Sequence, residues 1–322
     1  MNIFPDFSRQ EPLPFGERLE RGFSFFSSKL LLFGEYGLIY GAMALSVPFG
    51  RFYGNLAFDT DQLHTESTSE IRKFYKQLKE DDFRRKLHFS FDLDRLEADL
   101  TKGLYFQSNI PQQYGVGSSG ALIAALFAQY AVLPNPEIAP SPELLQADFA
   151  MLESYFHGKS SGLDPLISYL NKPLLIDSQK RINKVNFDFS QVGLSFALVD
   201  TQTTGATGPL VQHFLELYQN PEFRLAFDRQ FLPANNGCIE SLLNADRQKF
   251  LLYLDQLVSF QLQHLSRMIP GNFHSIVSEA QKNSVYIKLL GSGGGGFLLA
   301  IAEQERYLND WSVMTGIPLT LV

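Results

Sequence analysis

Apolar positions along the chain change their spacing several times, and each change marks an element. Residues 30–33 form a short apolar run after Lys29, and residues 45–52 and 54–58 continue as strands broken by turns. Ile71, Phe74, Tyr75 and Leu78 then recur at helical spacing, which predicts a helix over 67–78, with Ser67 and Glu70 fitting a capping box at its start. After a strand at 104–108, residues 121–133 are apolar almost without interruption, the pattern of a helix buried on nearly every side. Pro134, Pro136, Pro140 and Pro142 end it, and a second helix is predicted over 143–157. A short apolar element at 166–170 and strands at 173–177 and 194–200 follow. Helical patterns cover 208–220 and 247–268, and the chain closes on a strand at 285–290, a glycine loop at 291–296 and a strand at 297–302.

At 322 residues the chain is long for one core, so two domains are expected, with a boundary near Asp188 that divides it into 1–188 and 189–322. The 29 Phe residues signal aromatic-rich packing. A net charge of −7 argues against a broad nucleic-acid-binding surface and leaves room for a local basic pocket. The one cysteine, Cys238, excludes an intrachain disulfide and fits a reducing cytoplasm. Residues 1–10 lack the basic start and apolar core of a targeting signal, and 121–133 is shorter than the roughly 20 residues that span a bilayer. The expectation is a cytoplasmic protein without nucleic-acid or membrane partners.

Chemistry concentrates in Pro111-Gln-Gln-Tyr-Gly-Val-Gly-Ser-Ser-Gly120, directly ahead of the apolar run. Glycines let backbone N–H groups turn toward an anion, and a helix starting there adds its positive end. The string also reads G-x-G-x-x-G at Gly115, Gly117 and Gly120, so a dinucleotide-binding oxidoreductase is one alternative. It leaves the other glycine motifs unexplained and lacks a clear strand, turn, helix and strand unit. No G-x-x-x-x-G-K-[ST] string occurs, which disfavours a P-loop ATPase.

Three separated strings occur in order: Lys29-Leu-Leu-Leu-Phe-Gly-Glu-Tyr-Gly-Leu-Ile-Tyr-Gly41, Pro111 to Ala121, and Lys288-Leu-Leu-Gly-Ser-Gly-Gly-Gly-Gly296. Together they resemble the GHMP family of small-molecule kinases, within it most closely the mevalonate and phosphomevalonate kinases. The resemblance implies an α+β, two-domain fold: an N-terminal domain like the second domain of ribosomal protein S5 and a ferredoxin-like C-terminal domain, with ATP and Mg²⁺ between them. Gly115, Gly117, Ser118, Ser119 and Gly120 would then cradle the nucleotide, Ser119 also supplying oxygen to Mg²⁺.

Glu153-Ser-Tyr-Phe-His-Gly-Lys-Ser-Ser-Gly-Leu-Asp164 resembles the E…H-G-x-x-S-G-x-D arrangement of mevalonate kinases, which implies Glu153 as a Mg²⁺ ligand and Asp164 as the candidate base. Lys29 would hold Asp164 ionised and stabilise the γ-phosphate. Asp164 also suits a helix N-cap before Pro165. Glu35, Tyr36, Thr204, Gly293 and Gly294 fall where the family borders its acceptor. Gly34-Glu35-Tyr36 departs from G-E-H, common in mevalonate kinases, toward the G-E-Y of phosphomevalonate kinases. The implied activity is phosphoryl transfer from ATP to a small metabolite, with mevalonate first and phosphomevalonate or another acceptor second. A diphosphomevalonate decarboxylase-like lyase or a non-catalytic relative rank below, and a homodimer is a family-level expectation. Lys288 and His157 read as structural.

Overall fold

A computed structural model describes residues 24–59, 63–135, 138–205 and 207–322. Residues 1–10, read above for a targeting signal, and Pro136 of the proline loop lie outside them. The described residues divide into two compact units that interleave along the chain: one lies within 1–29, 48–111 and 117–172, the other within 30–47, 112–116 and 173–322. The strands Phe26–Phe33 and Ala44–Phe58 therefore each contribute to both.

In the first unit, residues 54–58 pair antiparallel with the strand Leu104–Ser108. The helix Ser118–Tyr130 is the centre of its core, with Gly120 through Phe127 all buried. It packs on the helices Pro142–His157 and Leu163–Leu170. Phe127 is the hub of that packing, with ring centroids 4.9 Å from Phe149, 5.5 Å from Tyr169, 5.6 Å from Phe89 and 5.9 Å from Phe91. Such edge-on pairs add to the area they bury, and they account for part of the phenylalanine excess.

The apolar run read as a helix to 133 stops at Tyr130 instead, because Ala131–Val132 leaves the helix to pair with Ser90–Phe91. The capping box is also corrected. The helix begins earlier, as Thr65–Lys79 after His64, so Ser67 lies in its first turn and its hydroxyl accepts from the Phe106 N–H at 3.0 Å. The next predicted helix starts as expected: Ser141 caps Pro142–His157 by accepting from the Leu144 N–H at 3.3 Å, with Pro142 in the first turn. The short apolar element at 166–170 belongs to the helix Leu163–Leu170.

The second unit holds a four-stranded antiparallel sheet of Ser195–Asp200, Val285–Leu289, Phe297–Ala302 and Leu319–Leu321. Numbered in chain order, the strands stand 4-1-3-2, with helices between the first and second and Glu305–Thr315 between the third and fourth. That is the β-α-β-β-α-β ferredoxin-like arrangement. Among the described residues five α-helices separate the first two strands where two were predicted: Thr207–Gln219, Pro221–Ala226, Leu232–Leu243, Arg247–His264 and His274–Lys282. Pro221–Ala226 runs through a π-helical turn, Phe227–Phe231, into Leu232–Leu243. No helix among the described residues is long and apolar enough to cross a membrane.

Candidate active site

Glycines set the geometry of the first unit's polar cluster. Gly117, at φ 83°, is the residue before the helix Ser118–Tyr130 and supplies no side-chain cap, so the helix opens with its N–H groups toward whatever lies beyond. A Cβ at Gly117 would stand 3.0 Å from Lys29 Cγ, and one at Gly120 would stand 2.8 Å from the Asp164 carbonyl carbon and the Pro165 nitrogen. The absence of both side chains lets the turn close on Lys29 and the helix pack flush against Asp164.

Lys29 projects from the strand Phe26–Phe33 and is buried. Its Nζ lies 3.1 Å from Asp164 Oδ1, and the Asp164 side chain keeps 33% of its surface accessible. Asp164 occupies the first turn of Leu163–Leu170, whose N-cap is Gly162 at φ 72°; the capping role considered for the aspartate is thus filled by glycine. Its carboxylate is left for Lys29.

Glu153 stands near the end of Pro142–His157 and is almost wholly buried. The Ser119 hydroxyl donates to its Oε1 at 3.0 Å, and the Ser160 hydroxyl donates to its Oε2. Burial first, and then the negative charge of Asp164, push the Glu153 carboxyl up to about 7; the two serine donors and Lys29 work against that rise. A cation beside it would favour the ionised form. The donor set of hydroxyl and carboxylate is all hard oxygen, which fits Mg²⁺ and suits no soft metal. Among the described residues no group of three or more His, Cys, Asp and Glu is placed to hold a metal by itself. A Mg²⁺ ion in this site would therefore take its remaining ligands from water and phosphate, as that ion commonly does.

The second unit gathers a different set. Glu35 and Lys288 are both fully buried and form an ion pair, and Lys288 Nζ also donates to the carbonyls of Leu32, at 2.8 Å, and Leu289. Tyr36, with a positive φ of 58°, donates its hydroxyl to the Ser292 carbonyl. Burial and the neighbouring Glu35 raise that phenol well above its usual range. The glycine loop is bound on several sides: Gly296 N–H donates to the Thr203 carbonyl at 2.6 Å and Thr201 Oγ1 to the Gly296 carbonyl at 2.7 Å. Cβ atoms would meet the Met268 carbonyl at Gly293, Leu210 at Gly294 and the Thr204 backbone at Gly295. The loop is a packed structure and not a loose hairpin. Gly115 lies in this unit too, with a Cβ position 3.6 Å from the Leu290 carbonyl.

The structure thus brings Lys29, Gly117, Ser119, Gly120, Glu153 and Asp164 together, and gathers Glu35, Tyr36, Thr204, Gly293 and Gly294 around the glycine loop. Residues 73–172 match the GHMP kinases N terminal domain. The mevalonate kinase of Pyrococcus horikoshii is 24% identical over 324 residues, covering 91% of this chain and 92% of that protein. Residues 73–172 are a GHMP kinase N-terminal domain. The chain is also 22% identical over 337 residues to the mevalonate kinase of Thermococcus sibiricus, covering 91% of this chain and 93% of the relative.

Solved structures share its fold: L. major mevalonate kinase in complex with R-mevalonate, at TM-score 0.64 and 18% identity, covers 90% of each chain. Streptococcus pneumoniae phosphomevalonate kinase in complex with phosphomevalonate and AMPPNP, at TM-score 0.60 and 14% identity, covers 93% of this chain and 99% of that one. GHMP kinases use ATP, so the chain is an ATP-dependent kinase, a reading that the oxidoreductase alternative does not survive. Ser160 escaped sequence reading although it stands in the very string that named Glu153 and Asp164. The family pattern drew attention to Ser161, whose hydroxyl accepts from the Leu163 N–H at 3.4 Å.

Proposed function

We propose that this kinase transfers the γ-phosphoryl group of ATP to the primary hydroxyl of mevalonate. The supporting observation is that Lys29, Asp164, Glu153 and Ser119 converge at the open end of the helix Ser118–Tyr130. In this reading Gly115, Gly117, Ser118 and Gly120 direct backbone and hydroxyl donors to the triphosphate. Asp164 accepts the proton of the acceptor hydroxyl as its oxygen bonds to the γ-phosphorus; the bond from that phosphorus to the β,γ-bridging oxygen breaks, and ADP leaves. Lys29, 3.1 Å from the Asp164 carboxylate, orients it and offsets charge on the transferring group. Glu153 and Ser119 hold Mg²⁺, which when bound neutralises phosphate charge. Tyr36, Thr204, Gly293 and Gly294 border the acceptor, and Glu35, buried against Lys288, supports the turn that carries Tyr36.

The family's two domains divide near residue 188, and the protein acts in the cytoplasm, as a homodimer. Phosphomevalonate is the second acceptor, favoured by Gly34-Glu35-Tyr36. The test is ADP formation with Mg²⁺-ATP and mevalonate, phosphomevalonate, homoserine or galactose in parallel, with the product mass measured. Turnover of mevalonate supports the reading; turnover of another acceptor alone replaces it, and turnover of none removes it.

A further inference from the structure

The turn carrying Glu35 and Tyr36 has a strained backbone. Gly34 lies at φ 106°, Tyr36 at 58° and Gly41 at 85°, and a Cβ at Gly34 would stand 2.4 Å from Ala44 Cβ. A non-glycine residue with positive φ persists only where its surroundings over-determine it. Two asparagines outside every family string supply that constraint.

The Gly34 N–H donates to Asn235 Oδ1 at 2.9 Å, and Asn235 Nδ2 donates to the Met43 carbonyl at 2.9 Å. The Met43 N–H donates to Asn236 Oδ1 at 2.9 Å, and Asn235 Nδ2 also donates to that oxygen at 3.1 Å. Both ends of the 34–43 excursion are thereby stapled to one point on the helix Leu232–Leu243. Asn235 is completely buried and bonded through both ends of its amide.

The π-helical turn Phe227–Phe231 precedes this point, and such turns recur at functional sites. Phe227 and Phe231 stack with centroids 4.6 Å apart, and a Cβ at Gly37 would meet Phe231 at 2.6 Å. Phe231 and Asn235, four residues apart on one helix face, therefore bear on the same turn. From its other side the turn reaches the glycine loop, since the Tyr36 hydroxyl donates to the Ser292 carbonyl and the Tyr36 ring packs on Phe214 with centroids 4.8 Å apart. Ser292 Oγ is in turn 2.9 Å from Thr207 Oγ1.

We propose that Asn235 and Asn236 are positioning residues that fix the 34–43 turn and, through Tyr36, the placement of Ser292 in the glycine loop. The consequence for catalysis rests on the phosphotransfer reading above: the staple sets acceptor binding, and ATP binding is independent of it. Asn236 is the residue to change, because it is half-buried where Asn235 is enclosed. The experiment compares wild type, Asn236→Ala, Asn236→Asp and Tyr36→Phe by hydrogen exchange over 34–43 and 291–296, with acceptor and ATP KM measured on the same preparations.

Asn236→Ala is expected to speed exchange in both segments about tenfold. It is expected to raise acceptor KM about tenfold with ATP KM unchanged. Asn236→Asp keeps an oxygen for the Met43 N–H and is expected to restore both readouts. Tyr36→Phe keeps the staple and is expected to loosen 291–296 alone. Unchanged exchange in Asn236→Ala, or a rise in both KM values that tracks a lowered unfolding midpoint, overturns the proposal. A wild type inactive on every acceptor removes the kinase reading, while the exchange data still judge the staple.

Discussion

The Lys29–Asp164 and Lys288–Glu35 pairs join the same two functional groups in opposite settings. Asp164 keeps a third of its side chain accessible, whereas neither Glu35 nor Lys288 is accessible at all. Lys288 places its ammonium against one carboxylate and two backbone carbonyls, which matches its three donors. Phe33 adds its ring face 5.1 Å from that Nζ. A pair so enclosed has no access to a reacting group and holds two segments together. The Lys29 pair lies at an uncapped helix end beside a second buried acid, and its carboxylate can still meet an incoming hydroxyl. In the proposed mechanism, what separates the reactive ion pair from the structural one is accessible surface, more than distance.

Asp164→Asn is expected to produce the largest change. Removing a general base lowers turnover by factors of about 10² to 10⁴, and with a third of the side chain in solvent the fold should survive. Steady-state ADP release together with a thermal melt measures both. Turnover near that of wild type, with an unchanged melt, would show that Asp164 takes no proton.

Methionine at each lysine breaks the comparison directly. Lys288→Met leaves Glu35 buried without its cation and is expected to lose about 3–5 kcal/mol of stability. Lys29→Met is expected to lose turnover while its urea midpoint moves far less, since water can reach Asp164. Equal midpoint shifts in the two variants would refute the distinction.

Legibility in the sequence follows the same division. Lys29, Glu153 and Asp164 could be found because glycine turns and short, ordered strings surround them, and backbone geometry writes itself into glycine spacing. The ferredoxin-like order was legible only through family resemblance, since nothing local dictates that strand 4 should lie beside strand 1. Asn235, Asn236 and Ser160 were invisible for a different reason. Their roles depend on which backbone groups tertiary packing brings near them, and an isolated asparagine or serine carries no such signal. The lost capping box shows the converse: Ser67 and Glu70 had the right spacing, but the Phe106 N–H of a neighbouring strand took the serine hydroxyl. The helix Ser118–Tyr130 ended early for a similar cause, its last apolar residues being drawn into a strand pair.

Glu153 carries the third expected effect. Its carboxyl ionises near 7 in the fold and near 4.5 in the unfolded chain, so between those values the folded state binds more protons. Without divalent cation, its contribution is fully present below pH 4.5 and is lost as pH rises through 7, at most about 3.5 kcal/mol at about 1.4 kcal/mol per unit. Urea midpoints in chelator at pH 5 and pH 8 should differ accordingly, and Glu153→Gln should remove most of the difference. Identical profiles for the two proteins would show that Glu153 is not held protonated at neutral pH.

Ser160→Ala is the finest probe, because it alters how a buried carboxylate is held without touching its charge. Glu153 is met by hydroxyls where Glu35 is met by an ammonium, and a hydroxyl donor favours the ionised form only weakly. Losing one such donor is expected to cost about 1 kcal/mol. It should also move the Glu153 titration upward, so that the pH-dependent loss of stability extends to higher pH. The substitution further removes the oxygen that accepts from the Gly162 N–H at 3.0 Å, the residue that starts the Asp164 helix. A midpoint shift that is the same at pH 5 and pH 8 would assign Ser160 to that turn alone. A shift that differs between the two would place it in the electrostatics of Glu153, and would separate a carboxylate poised to change partners from one locked to a lysine.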